Sequence, residues 1–378
     1  MAGLSYRVCA RCVMDTTDPD IVFDADGVCN HCHEHLRAIA TDVFHGEDGR
    51  NRLEAIAEDI KRQNRDKPYD CIIGVSGGVD SSYTAWLVKD LGLRPLAVHL
   101  DNGWNSVIAV SNIAHQIEAL DIDLYTHVID WEEYKDIQRA FLKASVPDVE
   151  VPTDHAINAI MFSVAQKFGI RTVMRGGNVN TESHHPPRWS QGHMDYGYIH
   201  DVHAKFGSGK VKTFPHLNFL QFLQLFRGGF VDTIDILNFA DYSREKALAR
   251  IESDLGWKDY GGKHHESVFT RWFQGVYLPR KFDFDKRKMH LSSLISTGQI
   301  SRDQARAQLQ QPTYDEALQE EDCDFVAKKL GFTRAELDAI MAAPPAFFDD
   351  FDSWGKRLEG PVARAAKNVY RSVKRARG

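Results

Sequence analysis

Long apolar runs are missing from this sequence. Its hydrophobic content, 43% in all, never gathers into a stretch of membrane-spanning length, which excludes a helical integral membrane protein. The N-terminal MAGLSYRVCARC lacks the apolar centre of a secretory signal, so a cytoplasmic protein is expected. An excess of basic charge is missing too. A formal net charge of -7 argues against a chain whose main work is gripping nucleic acid and leaves room only for a local basic patch. The lysine-bearing pattern GxxxxGK(S/T) is absent, which excludes a Walker-type phosphate loop. Cysteine is scarce, and of the six present four fall within the first 32 residues. In a cytoplasmic chain that clustering reads as metal binding rather than disulfides. No internal repeat or low-complexity tract stands out, and a length of 378 residues suggests two or three domains.

What is present is organised around YDCIIGVSGGVDSS, residues 69–82. An apolar run over 71–75 stops at Ser76, Gly77 and Gly78, and a helical segment begins near Asp80. That is a buried strand, a tight glycine turn and a helix N-terminus. Unpaired backbone N–H groups at such a terminus carry partial positive charge, and glycines let an anion approach them. An ordinary strand-to-helix connection with Asp80 as its cap is the plainer alternative for the glycines alone.

Cys9, Cys12, Cys29 and Cys32 give C-x2-C-x16-C-x2-C, the spacing of a zinc ribbon or knuckle with a closed, structural tetrahedron of thiolates. An iron–sulfur cluster, a redox pair, or His31 or His33 replacing one cysteine are the competing readings. Between the pairs, AspPro and AspGly flank residues 21–23 and predict a small hairpin. Helical spacing of Leu53, Ile56, Ala57 and Ile60 predicts a linking helix over 49–64.

Beyond it, apolar runs alternate with helical patterns. Strands are expected at 71–75, 95–100, 124–129 and 171–174, and helices at 80–91, 107–120, 131–143 and 156–168. This order predicts an α/β fold with a parallel sheet, and ligands in such sheets sit beyond the carboxyl ends of the strands. Those ends carry SGGVDSS, then His99, Asp101, Asn102 and Gly103, then Arg175, Gly176, Gly177, Asn178 and Asn180. Their coincidence favours one nucleotide site. Residues 181–229 read as a loop or small helical insertion over that site, and their histidines lack a clean metal-ligand spacing. The aromatic stretch 214–230 reads as a buried or interface helix. Expected boundaries are a metal module over 1–48, the α/β domain over 49–240 and a mainly helical region over 241–378.

The segment GWKDYGGKHHESVFTRWFQGVYLPRKFDFDKRKMH is dense in cations and aromatics. Lys263, His264, His265, Glu266, Arg271, Arg280, Lys281 and Lys286 to Lys288 could supply the positive charge that a triphosphate and an anionic substrate need. A solvated basic surface is the bland reading. The tail places Val362, Ala366, Val369, Tyr370 and Val373 on one helical face among arginines and lysines, suited to an anionic membrane surface, an acidic partner, or packing on its own domain.

SGGVDSS resembles the pyrophosphatase loop of the PP-loop ATPases, which split ATP into AMP and pyrophosphate while adenylating a substrate oxygen. Taken with the paired CxxC motifs and with YGGKHHESVFTRWFQGVYLPRKFDFDKR followed by HLSSLISTGQISR, the chain resembles the N-acetyl sugar amidotransferase family of bacterial surface polysaccharide (lipopolysaccharide, O-antigen) biosynthesis. The resemblance covers most of residues 5–310. It implies conversion of an acetamido group on a sugar, expected to be nucleotide-linked, into an acetamidino group, using ATP, Mg2+, structural Zn2+ and ammonia.

Residue by residue, the resemblance implies that Ser76, Gly77, Gly78, Ser81 and Ser82 hold the pyrophosphate end, and that Asp80 helps coordinate magnesium. Val98, His99 and Leu100 would meet adenine. Gly176, Gly177 and Asn178 would flank the α-phosphate and the substrate amide, and Lys263 would stabilise charge on the phosphates. Asp154, His155, Glu182, His265, Glu266, Arg280 and Lys281 are the candidate ammonia, sugar or anion contacts. Residue 2 is alanine, and neither Cys71 nor Cys323 sits in a glycine-rich nucleophile turn, so no glutaminase is expected in this chain. A separate glutaminase subunit, with a cyclase-like companion, is the expected partner, and a homo-oligomer is compatible with the sequence. Two other classes fit the loop: a tRNA-modifying thiolase or lysidine-type ligase, and a non-catalytic nucleotide-binding subunit of a sugar-pathway complex.

Overall fold

The computed structural model describes residues 5–225 and 231–359. The expected basic helix near the C-terminus, and the end of the aromatic stretch 214–230, lie outside those residues.

The chain opens with the cysteine module, closed by two antiparallel bridges, Val8 with Asp15 and Phe23 with Cys29. Helices α1 (Asn30–Asp42) and α2 (Gly46–Gln63) lead into the sheet. Then follow β1 (Cys71–Gly74), α3 (Val79–Asp90), β2 (Pro95–Asp101), α4 (Val107–Leu120), β3 (Asp123–Val128), α5 (Trp131–Ala144), α6 (Val151–Phe168), β4 (Thr172–Arg175), α7 (Val179–Glu182) and β5 (Asp232–Asp235). Among the described residues one sheet of five parallel strands forms, in the order β3-β2-β1-β4-β5.

The strand order reverses between β1 and β4. The chain runs outward through β2 and β3 on one side, then returns to lay β4 and β5 on the other. Connections after β1 and β4 diverge there, which opens a crevice at the carboxyl ends of those two strands.

Alternation along the strands splits the core. Cys71, Ile73 and Ala97 face one hydrophobic cluster with α2, α3 and the helix Arg244–Leu255, while Ile72, Leu96 and Val98 face another with α5 and α6. The second cluster runs on without a break into Cys9, Cys12, Cys29 and Cys32 on one side and Phe269, Trp272 and Phe332 on the other. Both the cysteine module and the region after residue 241 are therefore packed against the α/β core.

Two elements depart from the sequence expectation. Helix α6 begins at Val151, five residues before the expected 156, because Pro152 occupies its first turn, where a missing N–H costs nothing. Strand β5 was not expected at all. Its sequence DTID has two carboxylates and a single large apolar side chain, and it is held at the sheet edge by pairing with β4 and by Ile234 packed on the core.

Candidate active site

The loop after β1 is braced from behind. Gly77 has a φ of +77°, and a Cβ there would lie 2.4 Å from the Ala109 carbonyl oxygen, so only glycine lets the turn seat against α4. Its own carbonyl accepts from Trp257 Nε1 at 2.9 Å and Asn112 Nδ2 at 3.3 Å. Ser76 N–H donates to Ser81 Oγ at 3.3 Å, and the Ser81 hydroxyl donates to the Gly78 carbonyl at 3.1 Å. No side chain caps α3. The helix N-terminus thus faces the adjoining cavity, which Gly78, Val79, Asp80 and Ser81 line, and suits an anion there.

That cavity has a volume of about 260 Å³ and is lined opposite the loop by Gly176, Glu182, Tyr242, Arg244 and Lys263. Gly176 belongs to the turn after β4, and a Cβ on it would stand 3.0 Å from the Asp80 carbonyl. Lys263 Nζ lies 2.8 Å from Glu182 Oε1 and 3.9 Å from Asp80 Oδ2. Burial works against the Lys263 ammonium, but Glu182 and Asp80 outweigh it and raise its pKa. Burial pushes the Asp80 carboxyl up, against the pull of Lys263, while the Tyr242 hydroxyl donates to it.

Ser76, Ser81, Glu182, His264, Glu266 and His290 also line a second cavity of about 600 Å³, so the two form one continuous cleft. Val98, His99 and Leu100 line it from the end of β2. His99 Nδ1 donates to the Val75 carbonyl at 2.9 Å, and its Nε2 accepts from Asn105 Nδ2 at 3.2 Å, which ties the two strand ends together.

At the far end of this cavity stand Asp148, Glu150, Asp154, His193 and Lys286. The Glu150 carboxyl accepts from the Thr270 hydroxyl, and burial, reinforced by the charges of Asp154 and Asp148, pushes its pKa up to about 8. His193 Nε2 lies 3.2 Å from Asp148 Oδ2 and 2.8 Å from Ser190 Oγ. Burial opposes its protonation, yet the Asp148 hydrogen bond and the nearby carboxylates raise its pKa to about 9. A protonated carboxyl and a protonated imidazole thus face the cavity at neutral pH.

Most of the expected site residues meet in this cleft: Ser76, Gly78, Asp80, Ser81, Val98, His99, Leu100, Asp154, Gly176, Glu182, Lys263 and Glu266. Gly77 shapes the loop from beneath. Gly177 and Asn178 line a separate open depression with Asp235, and Asn178 Oδ1 caps α7. The structure does not bring the others in. Ser82 is wholly buried under the loop. His155 is buried, donating from Nδ1 to the His193 carbonyl and accepting from Leu217 N–H at Nε2. His265 packs edge-on against Tyr314. Arg280 pairs with Glu320, and Lys281 donates to the carbonyls of Ile340 and Ala343 at the end of the helix Arg334–Ala342.

Sequence reasoning missed Asp148, Glu150, His193, Tyr242, Tyr260 and His290. For Glu150 the available signal was its place directly before the ValPro pair that opens α6.

All four cysteine Sγ atoms lie within 4.8 Å of one another, and all four residues are fully buried. A zinc–sulfur distance of about 2.3 Å implies a tetrahedral edge of about 3.8 Å. Cys9 and Cys32 are separated by 3.9 Å and Cys12 and Cys29 by 3.7 Å, so the donor set fits a metal ion. Backbone N–H groups of Arg11, Cys12 and Cys29 point at Cys9 Sγ, as suits thiolates. His31 and His33 are held instead by Asp18 and Asp24.

Residues 266–361 match a family model described as the C-terminal domain of WbpG-like LPS biosynthesis proteins. The chain is 37% identical over 111 residues to the glutamine-hydrolyzing GMP synthase of Pyrobaculum aerophilum. That match spans 29% of this chain and 19% of that protein, about a fifth of the relative's length. Among solved structures, NMN synthetase from Francisella tularensis aligns over 60% of this chain and 91% of its own, with 16% identity and a TM-score of 0.29. No helix among the described residues is long and apolar enough to cross a membrane. The glycine loop thus sits at a β1/β4 switch point of a parallel α/β sheet, and the region over residues 266–361 is similar to the C-terminal domain of WbpG-like LPS biosynthesis proteins.

Proposed function

We propose that this protein is an ATP-dependent amidotransferase that converts the acetamido group of a sugar, nucleotide-linked, into an acetamidino group. The observation that carries the reading is the continuity of the cleft: a loop suited to pyrophosphate opens into a cavity whose far end holds a half-buried carboxyl of raised pKa. The similarity of residues 266–361, which include Glu266, Thr270 and Lys286 of the cleft wall, to WbpG-like LPS biosynthesis proteins supports a sugar substrate.

An amide carbonyl is a poor electrophile until its oxygen becomes a leaving group. In the first step that oxygen attacks the α-phosphorus of ATP, forming a C–O–P link and expelling pyrophosphate. Ammonia then adds to the imidate carbon, and the C–O bond breaks to release AMP, leaving the amidine. Ser76, Ser81 and the N–H groups of α3 receive the pyrophosphate, and Lys263 neutralises the charge that develops on it. Asp80, Glu182 and Glu266 offer the hard oxygen donors that Mg2+ prefers, and Glu266 Oε2 is buried without a hydrogen-bond partner. Mg2+ bound there would offset phosphate charge. Glu150, once ionised, accepts a proton from ammonium and frees the nucleophile.

Ammonia would come from a separate glutaminase subunit with a cyclase-like companion, and the cysteine cluster would hold a structural Zn2+. Cys71 and Cys323 are buried and line neither cavity, which speaks against sulfur transfer to tRNA.

The test is to incubate the purified chain with ATP, Mg2+, ammonium chloride and a panel of nucleotide-linked N-acetyl sugars. AMP should appear together with a sugar product lighter by the difference between O and NH. Formation of ADP, or of AMP only when tRNA is added, sinks the proposal.

A further inference from the structure

The cysteine module lies against the back of the catalytic cleft and touches the elements that supply its side chains. Cys29 stands at the N-cap of helix α1, which carries Cys32 in its first turn and presents His35 one turn further on the same face. His35 is wholly buried, and its Nδ1 is hydrogen-bonded to the Ser183 hydroxyl. Ser183 directly follows Glu182, the carboxylate that holds Lys263 at 2.8 Å. The next residue, His184, reaches Ser293 Oγ through Nδ1 at 3.0 Å and packs against His35 with ring centroids 4.6 Å apart and the planes tilted by 37°.

A second set of contacts reaches the same place. The helix Arg287–Ser296 bears His290, which lines both cavities, and Ser293. On its other side Ser292 Oγ accepts from Val13 N–H at 3.3 Å and Lys288 Nζ meets Asp15 Oδ2 at 2.6 Å. Just beyond it, Arg302 donates to the carbonyls of Cys9 at 2.7 Å and Cys12 at 3.0 Å. Both routes join backbone that must be ordered for the thiolates to converge with backbone that sets Glu182 and His290.

We propose that the four-thiolate metal site is energetically coupled to the nucleotide site, with His35 as the positioning residue that transmits metal binding through Ser183 to Glu182. The coupling is reciprocal by thermodynamic necessity, so nucleotide in the cleft must hold the metal more tightly in its turn. It rests only on nucleotide binding at the loop and is independent of which acceptor is modified.

The experiment uses the full chain loaded with zinc. Metal release to a chromophoric chelator is followed with and without saturating Mg2+ and a non-hydrolysable ATP analogue, whose binding is measured separately by calorimetry. Nucleotide should slow release by about fivefold or more. His35→Ala should keep stoichiometric zinc and bind nucleotide, yet bring the ratio of release rates close to unity, and His35→Asn, which retains a polar group near the Nδ1 position, should restore much of it. Ser183→Ala removes the same hydrogen bond from the other side and serves if His35→Ala does not fold. A merely structural histidine would alter both release rates alike and leave their ratio unchanged. Equal release rates in the wild-type chain, or an undiminished ratio in the variants, overturn the coupling while leaving the amidotransferase reading intact. Absence of nucleotide binding in calorimetry would overturn both.

Discussion

Replacing Glu150 by glutamine preserves the shape of the side chain and removes its titration. The carboxyl sits among Asp148, Asp154 and Lys286 with its pKa raised from 4.5 to about 8. A raised acid pKa means that the native state keeps a proton which the unfolded chain has already released above pH 4.5, so this group's contribution to stability falls as pH rises toward 8. Between about pH 7 and pH 9 the native carboxyl passes from mostly protonated to mostly ionised, which integrates to a loss of about 1 kcal/mol. Glu150→Gln lacks that loss. Urea unfolding of both chains at those two pH values should therefore show the wild type losing about 1 kcal/mol more than the variant. Identical pH dependence in the two chains would refute the raised pKa. In turnover with ammonium, the wild-type rate should climb with pH toward a limb near 8, and the variant should lose that limb together with about 10²- to 10⁴-fold in kcat.

Lys263→Met removes the cation between Glu182 and Asp80, and loss of one charged hydrogen bond worth ~1.5–3 kcal/mol should weaken ATP binding by about 10- to 150-fold in calorimetry; unchanged affinity would remove Lys263 from the phosphate site. Gly77→Ala combines a positive φ with a 2.4 Å approach to the Ala109 carbonyl, so the chain should lose about 2 kcal/mol or more in urea unfolding and most of its nucleotide affinity. A variant of wild-type stability would show that the loop does not need its glycine. Cys12→Ser should leave the chain with less than stoichiometric zinc by elemental analysis and unfolding earlier on heating, since a four-thiolate site contributes folding energy when filled.

Much of the α/β core was legible before any coordinates. Strands β1 to β4 fall within a residue of their expected ends, and α4 spans 107–120 as its apolar spacing and its Ser106 cap require. Four thiols converge as the CxxC spacing implied. These features share a cause: each is encoded over a few consecutive residues by strand alternation, helical periodicity or turn chemistry. The misses share the opposite one. β5 has almost no apolar pattern of its own and exists because β4 offers it an edge, and Glu150, just before α6, meets Thr270 from 120 residues away in sequence.

The same division runs through the cleft. SGGVDSS predicted a tight turn at a helix N-terminus suited to an anion, with a plain strand-to-helix connection as the alternative, and a glycine pair favoured Lys263 within a basic stretch. That local signal did not reveal position: Lys263 sits between two carboxylates of the cleft, whereas Arg280 and Lys281 brace distant helices. Nor did composition reveal that Asp148, Glu150 and His193 would share a cavity with Ser76. Chain-local order is written in the pattern of neighbouring side chains, whereas a shifted pKa or a shared cavity depends on distances and burial between residues far apart in sequence, and those arise only when the layers pack.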